Sequence, residues 1–173
     1  RSALALEIAN LAEGGANAAK AIEQWRAVLR QEPNHKEAKA SLRRLYRQNA
    51  DYTSLADLLR NELERLPEGE KERLPLLREV AEIYRVHLKS DNALVSALSQ
   101  IVTLDPADVQ AVRELARVYD TLGRTRELLA TETRLAEIEP DVDMKVELYR
   151  SIAERWLDQF SNVQNAVEAY EKL

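Results

Sequence analysis

The stretch Ala38–Pro67 reads AKASLRRLYRQNADYTSLADLLRNELERLP. Its apolar residues recur every three or four positions in two runs, which is the period of an α-helix with one buried face. The first run is Ala38, Leu42, Leu45 and Tyr46, and the second is Leu55, Leu58, Leu59, Leu63 and Leu66. Pro67 cannot donate to a helical hydrogen bond, so it marks the end of the second run. The stretch therefore predicts two helices that fold back on each other as a hairpin.

This hairpin pattern recurs along the chain, with a full period of about 72 residues that holds two hairpins of about 36 each. Ala9, Ala81 and Ala153 are 72 apart, and the aromatic residues Tyr46, Tyr84, Tyr119 and Trp156 are separated by 38, 35 and 37. Fixed periods of this size are typical of helical solenoids. We therefore expect an all-α solenoid of about five hairpins.

The prolines and glycines set the expected boundaries of the hairpins. The five hairpins are predicted at about 1–33, 34–67, 68–106, 107–140 and 141–173, as one continuous segment without a linker. In the first, a helix over about 2–13 should end at a turn formed by Gly14 and Gly15, since glycine readily adopts positive φ. Gly123 marks the corresponding turn of the fourth.

Composition restricts the function classes. The chain has no cysteine, which excludes disulfides and thiolate metal sites and leaves a reducing, cytoplasmic location as the expectation. It contains neither an apolar run of membrane-spanning length nor a signal peptide pattern. A net charge of −5 argues against general binding to nucleic acid.

The two ends of the sequence lie inside amphipathic patterns. The chain starts at Arg1 without a methionine and stops at Leu173, so we expect it to be part of a longer array. Solenoid ends are normally covered by polar capping elements. Exposed apolar residues would instead support end-to-end self-association, and the candidates are Leu4, Ile8, Ala166 and Tyr170.

The repeats resemble those of the tetratricopeptide-repeat (TPR) family. Within Ala38–Pro67 an apolar residue, a leucine, a tyrosine four positions after it and a closing proline follow that family's pattern, and Leu115, Tyr119 and Pro140 repeat it. Ala81 with Tyr84, and Ala153 with Trp156, stand where the family has a small residue followed by an aromatic one. The family's early tryptophan is absent. The alternation of hairpins is similar to that of long bacterial arrays.

This resemblance implies a right-handed superhelix whose concave groove, lined by the first helix of each hairpin, holds a peptide or a partner domain. It implies a protein-interaction scaffold without catalysis or cofactor. Helical spacing places arginines on the outward face of the first helices, and we predict that they bind an acidic segment or a C-terminal carboxylate. These are Arg44, Arg47, Arg78, Arg85, Arg113, Arg117 and Arg150. Arg78, Arg113 and Arg150 share one repeat position and form the preferred contact set.

A structural interpretation of the same charges stays open. Arg44, Glu82, Arg117 and Glu154 occupy equivalent positions in successive first helices and alternate in sign. Neighbouring helices would then neutralise each other through ion pairs, each contributing about 0 to 1 kcal/mol.

The aromatic residues are expected to serve packing. Tyr46, Tyr84, Tyr119 and Trp156 recur in register with the apolar face, which predicts a core position. Trp25 and Tyr170, on second helices, should wedge between hairpins, and Tyr52 is expected at an exposed turn.

Catalytic patterns are missing from the sequence. His35 and His87 stand at unrelated repeat positions and are expected to be surface or capping residues. No metal-ligand spacing, phosphate-binding glycine loop or nucleophile motif occurs, so we predict no enzyme site in this segment. Two alternatives remain: a helical-repeat RNA-binding module, or the helical domain of a larger enzyme.

Overall fold

A computed structural model of the chain describes residues 7–8, 10–12 and 17–173. Within those ranges the chain is helical and contains no strand, which confirms the all-α prediction. Residues 7–8 and 10–12 are helical. The rest of the predicted helix over 2–13, its turn at Gly14 and Gly15, and Leu4 lie outside the described residues.

The chain divides into two compact units, residues 1–67 and 68–173. Their boundary coincides with the predicted boundary between the second and third hairpins. The first unit contains α1 (Ala18–Gln31), α2 (Lys36–Gln48) and α3 (Tyr52–Leu63). In it, α1 packs on α2 and α2 packs on α3.

The second unit contains three hairpins, in which each helix packs on the next along the chain. Its helices are α4 (Arg73–Glu82), continued by a π-helical segment (Ile83–Leu88), then α5 (Asp91–Leu104), α6 (Val109–Thr121), α7 (Thr125–Ile138), α8 (Val142–Phe160) and α9 (Val163–Tyr170). We call α2, α4, α6 and α8 the first helices of their hairpins, and α1, α3, α5, α7 and α9 the second helices. None of these described helices has the length and apolar character needed to cross a membrane.

Side-chain caps set the helix starts. Asp51, Asp108 and Asp141 each accept a hydrogen bond from the backbone N–H three residues ahead, which satisfies a donor that the helix itself cannot pair. Hydrogen bonds from Ser54 lower the pKa of Asp51, because they stabilise its carboxylate. His35 caps α2 through Nδ1, which accepts from the Ala38 N–H at 3.2 Å. The capping role expected for His35 is therefore confirmed.

The first helices end in two alternating ways. A backbone N–H closes each helix on the carbonyl of the aromatic residue that recurs in every first helix, and the residue before that N–H has positive φ. The closing bond reaches back five residues in α2 and α6, from Asp51 to Tyr46 and from Arg124 to Tyr119. It reaches back six residues after α4 and α8, from Ser90 to Tyr84 and from Asn162 to Trp156. The closing turn is thus one residue longer in every second hairpin, an alternation that agrees with the two-hairpin period of the sequence.

The positive-φ positions predict a stability change. Ala50 (φ 52°), Lys89 (φ 48°) and Ser161 (φ 49°) are left-handed without being glycine, whereas the equivalent Gly123 has φ 66°. A Cβ in this conformation costs about 1 kcal/mol. We therefore expect Ala50→Gly, Lys89→Gly and Ser161→Gly each to raise the free energy of unfolding by about 0.5 to 1 kcal/mol, as measured by urea denaturation.

The matched control is Gly123→Ala. A Cβ there meets no atom within 4 Å, so any effect comes from the backbone alone, and we expect a loss of about 1 kcal/mol. Glycine variants that all lower the stability would contradict this account of the turns.

The aromatic residues occupy the core to different degrees. Trp25, Tyr46 and Tyr119 are buried, as predicted, while Tyr84 and Trp156 are half-buried. Trp156 packs against Phe160, with ring centroids 5.1 Å apart. The expectation that Tyr170 wedges between hairpins was wrong, because Tyr170 is 42% exposed, in agreement with its other predicted place on an apolar end face. Tyr52, at the start of α3, is half-buried.

One charged pair replaces apolar residues in the core of the second unit. Arg155 directly precedes the aromatic residue of α8, where the other first helices have the buried residues Leu45, Ile83 and Val118. Glu132 stands as far into α7 as the buried Leu98 stands into α5.

These two side chains form an ion pair between α7 and α8. Arg155 Nε lies 3.5 Å from Glu132 Oε2, and neither atom has a hydrogen-bond partner. Arg155 Nη1 also lies 3.4 Å from Asp120 Oδ1. Burial raises the pKa of Glu132, an effect that Arg155 opposes and Asp120 reinforces. The joint between the last two hairpins therefore combines this ion pair with an apolar cluster that includes Leu129, Ala136, Ile152 and Ala153.

Candidate functional site

A groove of about 720 Å³ lies in the second unit between two successive first helices, α4 and α6. We call it the first-helix groove. Leu98 and Ile101 of α5 form its apolar floor. Its charged walls are formed by Arg78, Glu82, Arg85, Asp108, Arg113, Glu114 and Arg117. It is therefore large enough for several side chains of a bound segment.

Repeat register places the arginines here. Arg78 and Arg113 stand at the same position relative to Tyr84 and Tyr119, and so project from equivalent faces of α4 and α6. Ala81 and Ala111 lie between the charged residues, and their small side chains leave the space open.

Arg78 and Arg113 each bind an acid in the loop between hairpins. Arg78 Nη2 lies 3.0 Å from Asp108 Oδ2. The other oxygen of Asp108 accepts from the Ala111 N–H, so one carboxylate both caps α6 and pairs with Arg78. Arg113 Nη2 lies 2.5 Å from Glu139 Oε2, and Glu139 lies between α7 and α8. These arginines therefore hold the loops that lead into the next first helix.

Glu114 connects two further arginines. Arg85 binds it through two bonds, Nε to Oε1 at 2.5 Å and Nη2 to Oε2 at 2.6 Å, a planar geometry that guanidinium favours. Arg85 also pairs with Glu82 of its own helix. The hydrogen bond to Glu114 is the main reason why the pKa of Arg85 is raised. Arg117 Nη2 lies 3.7 Å from the same Glu114.

The pairs that join different helices expose the arginine more than the acid. The side chain of Arg78 is 57% exposed and that of Asp108 is 17% exposed. The side chain of Arg113 is 37% exposed and that of Glu139 is 3% exposed. The groove therefore presents guanidinium groups to solvent, although its four arginines face three carboxylates in its lining.

The structure brings together four of the seven predicted arginines: Arg78, Arg85, Arg113 and Arg117. Arg150 lies on α8, outside the lining of this groove, and pairs with Glu147 of its own helix at 2.7 Å. Arg44 and Arg47 are exposed on α2 in the first unit. Ion pairs do link neighbouring first helices, through Arg85 and Glu114. Glu82 and Arg117, which the alternating-charge interpretation emphasised, pair within their own helices.

A second cavity was not anticipated from the sequence. It measures about 410 Å³ and lies in the first unit between the second helices α1 and α3, over α2. We call it the second-helix pocket. Arg26, Arg30 and Arg65 line it. The spacing of Arg26 and Arg30 by one helical turn was the available signal, but the resemblance directed attention to first helices alone.

The apolar surface near the C-terminal end differs from the expectation. Tyr170 is exposed, as are Val163 and Val167, but Ala166 is buried because it faces inward against α8. Ala166 is therefore wrong as a surface candidate. Ile8 is exposed on the described part of the first hairpin.

Among residues 7–8, 10–12 and 17–173, no three histidine, cysteine, aspartate or glutamate residues are grouped so as to hold a metal ion. His87 lies on the exposed side of the π-helical segment.

Comparison with known proteins gives structural similarity alone. No family model matches the chain, and no curated protein matches it. The crystal structure of MamA protein is 18% identical with a TM-score of 0.48, covering 99% of this chain and 88% of that one. YrrB, described as a TPR protein with an unusual peptide-binding site, is 17% identical with a TM-score of 0.49, covering 95% and 80%.

A third similar structure holds the TPR-like repeats of a putative kinesin light chain from Podosopora anserina. It is 19% identical with a TM-score of 0.49, covering 96% of this chain and 90% of that one. The similar structures thus include TPR proteins, the family that the sequence resembles. At these identities and scores they carry no information about function.

Proposed function

We propose that this chain is a protein-interaction scaffold without catalysis in this segment, and that the first-helix groove holds an extended segment of a partner protein. The observation that supports this proposal most is the unequal exposure of the ion pairs. Arg78, Arg113 and Arg117 face the solvent while Asp108, Glu139 and Glu114 are largely covered, so an acidic segment would meet guanidinium groups already held in place. Glu82 is the exception among the acids of the lining, with 55% of its side chain exposed.

The two faces of the groove would have separate tasks. Leu98 and Ile101, each only 2% exposed, would close the floor beneath the bound segment, and Arg78 and Arg117 would bind its carboxylates. Arg117 is the most accessible of these arginines and is held only by the 3.7 Å contact with Glu114. It can therefore pair with a partner without breaking a short internal bond.

The structure changes the choice of test variants. Charge reversal at Arg78 and Arg113 would also break the pairs with Asp108 and Glu139, and would confuse binding with folding. Neutral substitution at Arg78 also removes its pair with Asp108, but it places no second negative charge beside that carboxylate, and circular dichroism checks that the variant is folded. The double variant Arg78→Gln/Arg117→Gln removes two groove cations, and Arg150→Gln removes an exposed cation of the same unit that lies outside the groove.

We expect a labelled peptide of alternating glutamate and leucine to bind the chain, and its lysine–leucine counterpart not to bind. Loss of one charge-assisted hydrogen bond of about 1.5 kcal/mol reduces affinity about tenfold. The double variant should thus bind at least about tenfold more weakly in fluorescence anisotropy, with Arg150→Gln unchanged. Equal binding of both peptides, or equal weakening by Arg150→Gln, would refute the proposal.

A further inference from the structure

The second-helix pocket differs from the first-helix groove in how its arginines are held. Arg26 Nε donates to the Tyr46 hydroxyl at 2.7 Å, and Arg26 Nη2 donates to Ser54 Oγ at 3.3 Å. Arg65 Nη1 donates to the Pro33 carbonyl at 2.7 Å. These acceptors are neutral oxygens, so the positive charges of Arg26 and Arg65 are positioned without being neutralised by them.

The acids of this pocket, Glu62 and Asp57, already have cationic partners, one of which, Lys39, itself lines the pocket. Glu62 lies 2.8 Å from Arg43 and 3.8 Å from Lys39. Asp57 lies 3.6 Å from Arg60, which does not line the pocket. The pocket therefore has an excess of positive charge near Arg26, Arg30 and Arg65.

Tyr46 supplies a further polar group. Its side chain is buried, with only 3% of the residue exposed, and its hydroxyl oxygen already accepts from Arg26. The hydroxyl proton remains available for donation, and no acceptor for it is found among the described residues. A buried donor of this kind is stabilised when a ligand oxygen accepts from it.

We infer that the second-helix pocket binds an anionic oxygen group, a carboxylate or a phosphate, on the side chain of a partner protein segment. Arg26 and Arg65, held in fixed orientations, together with Arg30, would surround the anion, and the Tyr46 hydroxyl would donate to it. Leu42 and Leu58 line the same pocket and would contact the apolar stem of the side chain. The volume of about 410 Å³ leaves room for adjoining residues. This site lies in the other unit from the first-helix groove and does not depend on its function.

The test uses two variants and one matched control. Tyr46→Phe removes the hydroxyl and keeps the ring, and Arg30→Gln removes an exposed cation. Lys20→Gln removes an exposed cation of the same unit that neither lines the pocket nor pairs with one of its acids. Circular dichroism checks that each variant is folded. Arg30→Gln keeps the inference testable should Tyr46→Phe lose structure.

The probes are a labelled phosphoserine peptide, its glutamate and unmodified serine counterparts, and inorganic phosphate as competitor. We expect the phosphoserine or the glutamate peptide to bind, Tyr46→Phe and Arg30→Gln to weaken that binding about tenfold each, and Lys20→Gln to leave it unchanged. Displacement by inorganic phosphate would identify phosphate as the preferred anion, and its failure with retained glutamate-peptide binding would identify carboxylate. Equal binding of the serine peptide, or no binding of either anionic peptide, would overturn the inference.

Discussion

The Trp25→Ala variant is expected to lose about 3 to 5 kcal/mol of unfolding free energy in the first unit. Trp25 is fully buried, and it is among the largest buried side chains of the chain. Counted from the capping residues Asn17, Ser90 and Asn162, its equivalents in α5 and α9 are Leu98 and the exposed Tyr170, so among these positions only the one in the first unit buries an indole. For a small unit this loss is comparable with the total stability.

Circular dichroism and chemical denaturation would measure this loss. The two tryptophans of the chain lie one in each unit, so fluorescence of the variant reports on Trp156 alone. Tyr170→Ala is the matched control, because Tyr170 is aromatic but exposed, and we expect a change below about 1 kcal/mol. A Trp25→Ala variant that keeps its full helicity and stability would contradict the packing described for α1.

Arg155→Val is expected to destabilise the second unit by about 2 to 3 kcal/mol, because it leaves the Glu132 carboxylate buried without its cation. This value is below the usual range for a fully buried pair because the Arg155 side chain is 26% exposed. Glu132→Leu should cost less, since Arg155 retains its contact with Asp120. The double variant restores the apolar residues found at the preceding joint and should be at least as stable as the natural chain.

The pH dependence separates this mechanism from simple loss of packing. Burial raises the pKa of Glu132 in the folded state, so the folded chain binds its proton more tightly than the unfolded chain does. The destabilising contribution of Glu132 therefore disappears as the pH falls through that raised pKa. Arg155→Val should regain stability in mildly acidic urea titrations, and the double variant should not. Equal pH profiles for the two would refute the mechanism.

Helical periodicity was sufficient to predict the hairpins, because apolar spacing and proline positions are local properties of the chain. The second helix of the first hairpin begins at Ala18 after the capping residue Asn17, and α5 ends at Leu104 as expected. Pro75 lies in the first turn of α4, where its missing N–H is tolerated.

The candidate site was predictable in part. Repeat register was enough to place Arg78 and Arg113 on one face, but their partners Asp108 and Glu139 lie in loops, where helical spacing gives no guide. The exchange of two core residues for Glu132 and Arg155 resembles ordinary surface charge in the sequence. Such a pair can be recognised only when the structure shows which residues of the two helices face each other.

The five- and six-residue closing bonds alternate along the first helices, and this alternation determines which segments could be moved from one repeat array to another. One residue corresponds to about 100° of helical rotation. If a hairpin with the five-residue closing bond replaced one with the six-residue bond, the apolar face of the next helix would turn away from the helix it packs against. A graft or gene duplication that moves a single hairpin would thus misalign the chain beyond it. The transferable module is the pair of hairpins, and chimaeras cut at that spacing should retain their stacking.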